Sequence, residues 1–212
     1  MPDSLSLIMI AAAVIGGYLL GSIPFGVIAT RMGGAGDVRS IGSGNIGATN
    51  VLRTGRKDLA LITLLGDGGK GAVAVLIAWL ATRHSPKDAQ ALLTAIAGTA
   101  AFFGHLFPVW LGFKGGKGVA TFFGTLLAAA WPVGLAAGAT WILAAFIFRF
   151  SSLAALIAAV LAPIYVFVLD RPYPIAVMAL VMAVLIFIRH KENIARLLKG
   201  EEPKIGKKKE AA

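Results

Sequence analysis

Apolar positions fill this chain in seven blocks, and the polar positions gather between them in a few dense islands. The blocks run from Leu5 to about Ala29, Leu59 to Ala81, Ala91 to Trp110 and about Gly116 to Ala130. A fifth then reaches Phe148, a sixth ends at Leu169 and a seventh covers Ile175 to Ile188. A helix rises about 1.5 Å per residue and a bilayer core is roughly 30 Å thick, so these blocks predict transmembrane helices. Gly21-Ser-Ile-Pro-Phe-Gly26 interrupts the first block, where Pro24 predicts a kink. The fourth block is short, and only the uncharged Trp131-Pro132 divides it from the fifth. The expected fold is an all-α integral membrane protein of seven transmembrane helices, one polytopic domain over 1–212.

Composition agrees with that expectation. The chain is 58% hydrophobic and 14% charged, with a mean hydropathy of +0.82, far from the usual soluble domain. Cysteine is absent, which excludes disulfides, thiolate nucleophiles and Cys-held metals. No Lys or Arg precedes Arg31, so the first block reads as a retained span and not a cleaved signal.

Charge placement orients the spans. With the N-terminus outside, the inner segments hold sixteen of the twenty Lys and Arg residues, whereas the outer turns hold only Arg83, Lys87 and Arg171. The excess of positive charge on inner loops predicts an outside N-terminus, a cytoplasmic C-terminus and an odd number of crossings. Three polar segments then share the cytoplasmic face: a Gly/Ser/Asn/Arg loop over 31–57, a Lys-Gly-Gly-Lys loop over 112–118 and a basic tail over 189–212. Within the tail, Lys207-Lys-Lys209 reads as an anchor to anionic lipid.

The first loop has the parts of a phosphate site. Gly42, Gly44 and Gly47 allow tight turns that bring backbone N–H groups to a ligand, and Ser43, Asn45, Thr49 and Asn50 add short hydrogen-bonding tips. Arg39, Arg53, Arg56 and Lys57 surround them with positive charge; amide nests and guanidinium forks match phosphate oxygens. An ordinary polar loop also uses Gly, Ser and Asn. Inside the second span stand Asp67 and Lys70, three residues apart. Ionisable groups at membrane depth suggest either a functional site or a structural ion pair. In the tail, His190, Asn193, Ile194 and Leu197 follow one helical face, with Arg189, Glu192, Arg196 and Lys199 directed elsewhere. A His in that setting is either a site residue or a hydrogen-bonded core group.

Two familiar patterns are misleading here. Gly42-Ser-Gly-Asn-Ile-Gly47 satisfies G-x-G-x-x-G but lacks the strand and βαβ unit that fingerprint needs. Gly112-Phe-Lys-Gly-Gly-Lys-Gly118 is one residue short of a P-loop and has Gly in place of Ser or Thr, which disfavours magnesium–nucleotide chemistry. His84, His105 and His190 are too scattered for a metal site. G-x-S-x-G is absent, which argues against a lipase-like serine.

Four stretches, taken in order, carry a specific resemblance: Gly21-Ser-Ile-Pro-Phe-Gly26; Gly42-Ser-Gly-Asn-Ile-Gly-Ala-Thr-Asn50 with Arg53; Gly104-His-Leu-Phe-Pro108 with Phe113-Lys-Gly-Gly-Lys-Gly-Val-Ala-Thr121; and Arg189-His-Lys-Glu-Asn-Ile194. This set resembles the successive motifs of the bacterial acyl-phosphate:glycerol-3-phosphate acyltransferases. The resemblance implies acyl transfer from acyl phosphate to the first hydroxyl of glycerol 3-phosphate, giving lysophosphatidic acid and phosphate. It implies a multi-pass protein of the bacterial inner membrane, a monomer, with no cofactor, metal or nucleic acid. Other glycerol-phosphate acyltransferases carry His-x-x-x-x-Asp, and His84 to Asp88 is one residue too short for it.

Two phosphate substrates must approach each other, so a cluster of positive charge is required to offset their repulsion. The expected catalytic set is Ser43, Arg53, Lys117, His190 and Asn193. Gly42, Ser43, Gly44, Asn45, Thr49, Asn50, Arg53, Lys114, Gly116 and Lys117 are the expected phosphate binders, with Asp67, Lys70, His105 and Ser152 behind them. Phosphate is a good leaving group, so no covalent enzyme intermediate is needed. The proton acceptor is His190 or, favoured here, an oxygen of the acyl phosphate, with His190 and Asn193 orienting the acceptor. Lipid supplies the acyl chain between helices. A transporter or channel for organic phosphates is the competing class, but it would place its polar residues in a midplane site between repeated halves. A structural scaffold would have no use for the Gly-Ser-Gly-Asn loop.

Overall fold

Proline sets the first boundary of the fold. The computed structural model describes residues 4–206, so the Lys207-Lys-Lys209 anchor lies outside the described residues. Helix α1 (Ser4–Gly21) stops before Pro24 and α2 (Phe25–Met32) begins after it, because the prolyl ring has no N–H to donate and clashes with the preceding turn. Together they form one apolar segment of crossing length, Leu7–Met32. An irregular loop containing α3 (Ala48–Val51) leads into α4 (Lys57–Ala81), and α5 (Lys87–Leu106) returns against it. After a second loop come α6 (Val119–Ala129), α7 (Trp131–Phe148), α8 (Ser151–Val168), α9 (Tyr173–Arg189) and α10 (Lys191–Leu198). No strand occurs among the described residues.

All seven apolar blocks are helical, yet they do not all have crossing length. Five segments do: Leu7–Met32, Lys57–Ala81, Lys87–Leu111, Trp131–Phe148 and Ser151–Val168; α9 reaches that length only together with α10, across a bend of 61°. The fourth block is the exception. Gly116, Lys117 and Gly118 are not helical, and α6 keeps 11 residues, about 16 Å.

Lipid tails are as apolar as Leu, so these helices associate by close packing of small residues. A Cβ at Gly21 of α1 would lie 2.0 Å from the Ala101 carbonyl of α5, and one at Gly124 of α6 would lie 2.0 Å from the Gly68 carbonyl of α4. Phe102, Leu106, Phe122, Leu126, Val133, Met178, Met182 and Ile186 fill the main core between α5, α6, α7 and α9. Outward-facing Leu65, Phe146, Phe167 and Val168 stay exposed on the protein, as lipid contact requires. A smaller core of Val27, Val38, Ile46, Val51, Leu59 and Ala60, with Leu111 packed on it, supports the first loop. Leu111 therefore brings the second loop to the same end of the bundle as the first.

Candidate functional site

Asn50 organises the first loop. Its side-chain nitrogen stands 2.9, 2.9 and 2.8 Å from the carbonyl oxygens of Val38, Ile41 and Asn45. Its Oδ1 accepts from the Ser43 amide at 3.1 Å, from the Ser43 hydroxyl at 3.3 Å and from Arg53 Nη1 at 3.4 Å. Gly42 and Gly44 hold left-handed backbone, φ 58° and 68°, which only Gly adopts without strain. The Ser43 and Gly44 amides are already bonded, the latter to the Ile41 carbonyl. Gly42, Asn45, Ile46 and Gly47 present N–H groups with no hydrogen-bond partner among the described residues. Thr49 and Arg53 are exposed beside them. Arg39 does not join the cluster: it pairs with Asp37, and the Arg39 side-chain and backbone donors hold the Asp37 carboxyl well below the usual carboxylate range. Arg56 likewise pairs with Asp58 and donates to the Gly33 carbonyl.

A second cluster joins the other two islands. Lys117 Nζ donates to Asn193 Oδ1, which links the Lys-Gly-Gly-Lys loop to α10. Burial, then the nearby Arg196 charge, lowers the Lys117 ammonium from its ordinary value. Asn193 Nδ2 donates at 2.6 Å to Glu202, which also accepts from Ser152 at 2.6 Å and from Arg196 at 2.8 Å. Burial opposes ionisation of Glu202, but these three donors outweigh it and hold the carboxyl below its ordinary value. His190 is buried with Nδ1 2.8 Å from the Ile186 carbonyl. Carbonyl oxygen only accepts, so Nδ1 carries the proton and Nε2 is left as the acceptor. Burial lowers its pKa to about 4.

Sequence reasoning missed part of this arrangement. Arg189 and Arg196, read as directed away, face inward: Arg189 donates to the Gly115 and Gly116 carbonyls at 2.8 and 3.1 Å, and Arg196 pairs with Glu202. Helical periodicity fails for them because long side chains curl back and a carbonyl or carboxylate captures the head. Glu202 had no distinguishing signal beside Glu201. Lys114 is exposed, with no bonded partner among the described residues. Asp67, Lys70 and His105 are buried together beneath the second loop. Among the described residues no hydrogen bond joins the Asn50 cluster to the Lys117 cluster, so the islands form two hydrogen-bonded groups, and Leu111 packing brings their loops to one end of the bundle. A groove of about 580 Å³ opens between α1, α5 and α9, lined by Val14, Tyr18, Ile96, Phe103, Phe107 and Met178 among others. Tyr18 bonds the Phe107 carbonyl at 2.8 Å and Arg189 lies 5.7 Å from the Phe107 ring, which brings the apolar groove to the edge of the Lys117 cluster.

A family model described as glycerol-3-phosphate acyltransferase matches residues 11–200. A glycerol-3-phosphate acyltransferase of Caulobacter vibrioides is 69% identical over 208 residues, covering 98% of this chain and 93% of that protein. One of Rhodospirillum rubrum is 61% identical, covering 97% and 95%. Among solved structures, the glycerol 3-phosphate form of PlsY (YgiH), an integral membrane glycerol 3-phosphate acyltransferase, matches with a TM-score of 0.84 and 37% identity, covering 96% of each chain. Its lysophosphatidic acid form matches with a TM-score of 0.82, 36% identity and the same coverage.

Proposed function

The chain belongs to the glycerol-3-phosphate acyltransferase family and is a multi-pass membrane acyltransferase of phospholipid biosynthesis; on that premise we propose how it does the chemistry. The donor is acyl phosphate and the acceptor glycerol 3-phosphate. The first hydroxyl of the acceptor attacks the acyl carbonyl, a new C–O ester bond forms, the C–O bond to phosphate breaks, and lysophosphatidic acid and inorganic phosphate leave.

The observation that carries this reading is the pair of separate donor-rich clusters at one end of the bundle. Two anions need two cradles. Arg53, Ser43 and the unpaired amides from Gly42 to Gly47 suit one phosphate; Lys117 suits the other, and the Asn193 and Ser152 donors beside it are held by the Glu202 carboxylate. We assign the first to acyl phosphate and the second to glycerol 3-phosphate. Fixed cationic donors of this kind stabilise charge that develops on the departing phosphate. The attacking hydroxyl gives its proton to an oxygen of the donor's phosphate, and His190 Nε2, left as a hydrogen-bond acceptor by the Nδ1 bond to the Ile186 carbonyl, orients glycerol 3-phosphate. The acyl chain lies in the groove between α1, α5 and α9. In this reading the chain crosses the bacterial inner membrane seven times, N-terminus outside, with both clusters on the cytoplasmic side. It acts as a monomer without metal or other cofactor.

Transport of organic phosphates is disfavoured by the polar clusters lying at one end and by the family itself. The test is direct. Purified protein given acyl phosphate and glycerol 3-phosphate should release phosphate and lysophosphatidic acid in equal amounts, whereas vesicle uptake without product would overturn the reading. Arg53→Ala and Lys117→Ala should each lower turnover by about a hundredfold in folded protein.

A further inference from the structure

Three ionisable side chains lie inside the helix bundle, where hydrocarbon on the outside makes an uncompensated charge expensive. Asp67 and Lys70 of α4 and His105 of α5 are 1%, 3% and 3% exposed. Asp67 and Lys70 are 2.9 Å apart, and His105 Nδ1 is 3.5 Å from the same Asp67 oxygen. The reading of the reaction above gives them no contact with substrate. Their outward contacts are specific. Lys70 Nζ donates at 2.8 Å to the Ile23 carbonyl, in the break between α1 and α2, and lies 5.9 Å from the Phe25 ring. The next residue, Gly26, is pressed against the first loop: a Cβ there would stand 1.8 Å from the Ile46 carbonyl. On the other side, the His105 carbonyl accepts from the Gly116 amide at 3.1 Å. A Cβ at Gly116 would come 2.2 Å from His105 Nε2, and Lys117 follows.

We propose that Asp67, Lys70 and His105 are positioning residues that set the spacing between the two phosphate clusters. Lys70 fixes the α1–α2 break and through Gly26 the Ser43–Asn50 loop. His105 packs on Gly116 and through it positions Lys117, and Asp67 lies between them, bonded to Lys70 and in contact with His105. The clusters have no hydrogen bond between them among the described residues, so beyond the Leu111 packing their separation is set from below. Acyl transfer depends on that separation, since misplacing reacting groups by about 1 Å is enough to lower rates by about a hundredfold. A purely structural ion pair would instead need only each other, and neither the Ile23 carbonyl nor the Gly116 contact.

The proposal rests on the two-cradle reading, and its test separates the two. Asp67→Asn/Lys70→Met removes both charges together and leaves no lone charge in the bundle, which favours folding. His105→Leu removes a ring whose Nδ1 makes no hydrogen bond and keeps the backbone carbonyl bond to Gly116, so it tests the packing of the ring on Gly116 alone. Both are assayed in detergent by steady-state kinetics beside wild type and Arg53→Ala, with thermal midpoints measured. The expected result is kcat lower by at least about tenfold, with KM for glycerol 3-phosphate within about threefold of wild type and the thermal midpoint kept, because each cradle is intact and only their spacing is lost. Lys70→Arg, which can still donate to Ile23 and Asp67, should recover most of kcat. A folded variant with kcat within about twofold of wild type would overturn the proposal. So would parallel loss of kcat and thermal midpoint without recovery in Lys70→Arg. Full activity in Arg53→Ala would sink the cradle reading instead.

Discussion

Asn50 has two N–H bonds and three carbonyl oxygens within reach, and its one side-chain oxygen serves three donors. No other side chain reproduces that distribution. Asn50→Asp keeps the oxygen but sets a carboxylate against three carbonyls, so it should lower turnover more than Asn50→Ala. Loss of a single buried bond costs about 1 kcal/mol and an unsatisfied partner 1–3 kcal/mol. Turnover and the protection of 37–56 against proteolysis, measured together, check the order; Ala worse than Asp would refute it. His190 leads to a pH prediction. Its native pKa of about 4 lies below the ordinary 6.5, so the unfolded chain takes up a proton at a higher pH than the native one. The contribution of His190 to stability is therefore lost as pH falls from about 6.5 towards 4. Turnover should show no inflection near 6.5, and His190→Gln should lower it about tenfold without changing the profile between about pH 5.5 and 8. A wild-type limb near 6.5 that vanishes in His190→Gln would make His190 the base. The Gly-Ser-Gly-Asn island and Lys117 were recognisable by residue type, but nothing in the order of residues chose Glu202 over Glu201 or turned Arg189 inward.

Helix contacts in this bundle are graded by glycine. Gly124→Val would drive a side chain into the Gly68 carbonyl, 2.0 Å from its Cβ, and separate α6 from α4, whereas Gly138 of α7 has nothing within 4 Å. The thermal midpoint should fall sharply for Gly124→Val and stay or rise slightly for Gly138→Ala, since Gly to Ala in an open helical position stabilises by roughly 0.5–1 kcal/mol. Equal effects at the two positions would contradict the packing. The fourth block shows why the limits of elements were hard to read. Its apolar residues predicted a helix from about Gly116, but Gly118 at φ 87° delays the start to Val119, since left-handed backbone cannot continue a right-handed helix. A Cβ at Gly134 would sit 2.6 Å from the Leu127 amide, so α7 folds back directly on α6. α6 is seven residues shorter than α7, about 10 Å of helix.

At the scale of the whole molecule, the proposed orientation can be tested because the native chain has no cysteine. Ser40 and His84 are both exposed, on loops at opposite ends of α4. In intact cells with a permeable outer envelope, a membrane-impermeant maleimide should label His84→Cys and spare Ser40→Cys until the membrane is opened. The reverse pattern would invert the topology and place both clusters outside.

The sequence alone determined the membrane class, the helical blocks, the break at Pro24 and the existence of three polar islands. Those properties follow from local composition and from the demand that backbone groups be satisfied within lipid. Tertiary structure decided the rest. It split the islands into two clusters, filled Asn193 and Ser152 with the Glu202 carboxylate, and placed Asp67, Lys70 and His105 between the α1–α2 break and the Lys117 loop. Each of these depends on contacts between residues tens of positions apart, which close glycine-mediated approach of the helices makes possible and which no local pattern encodes.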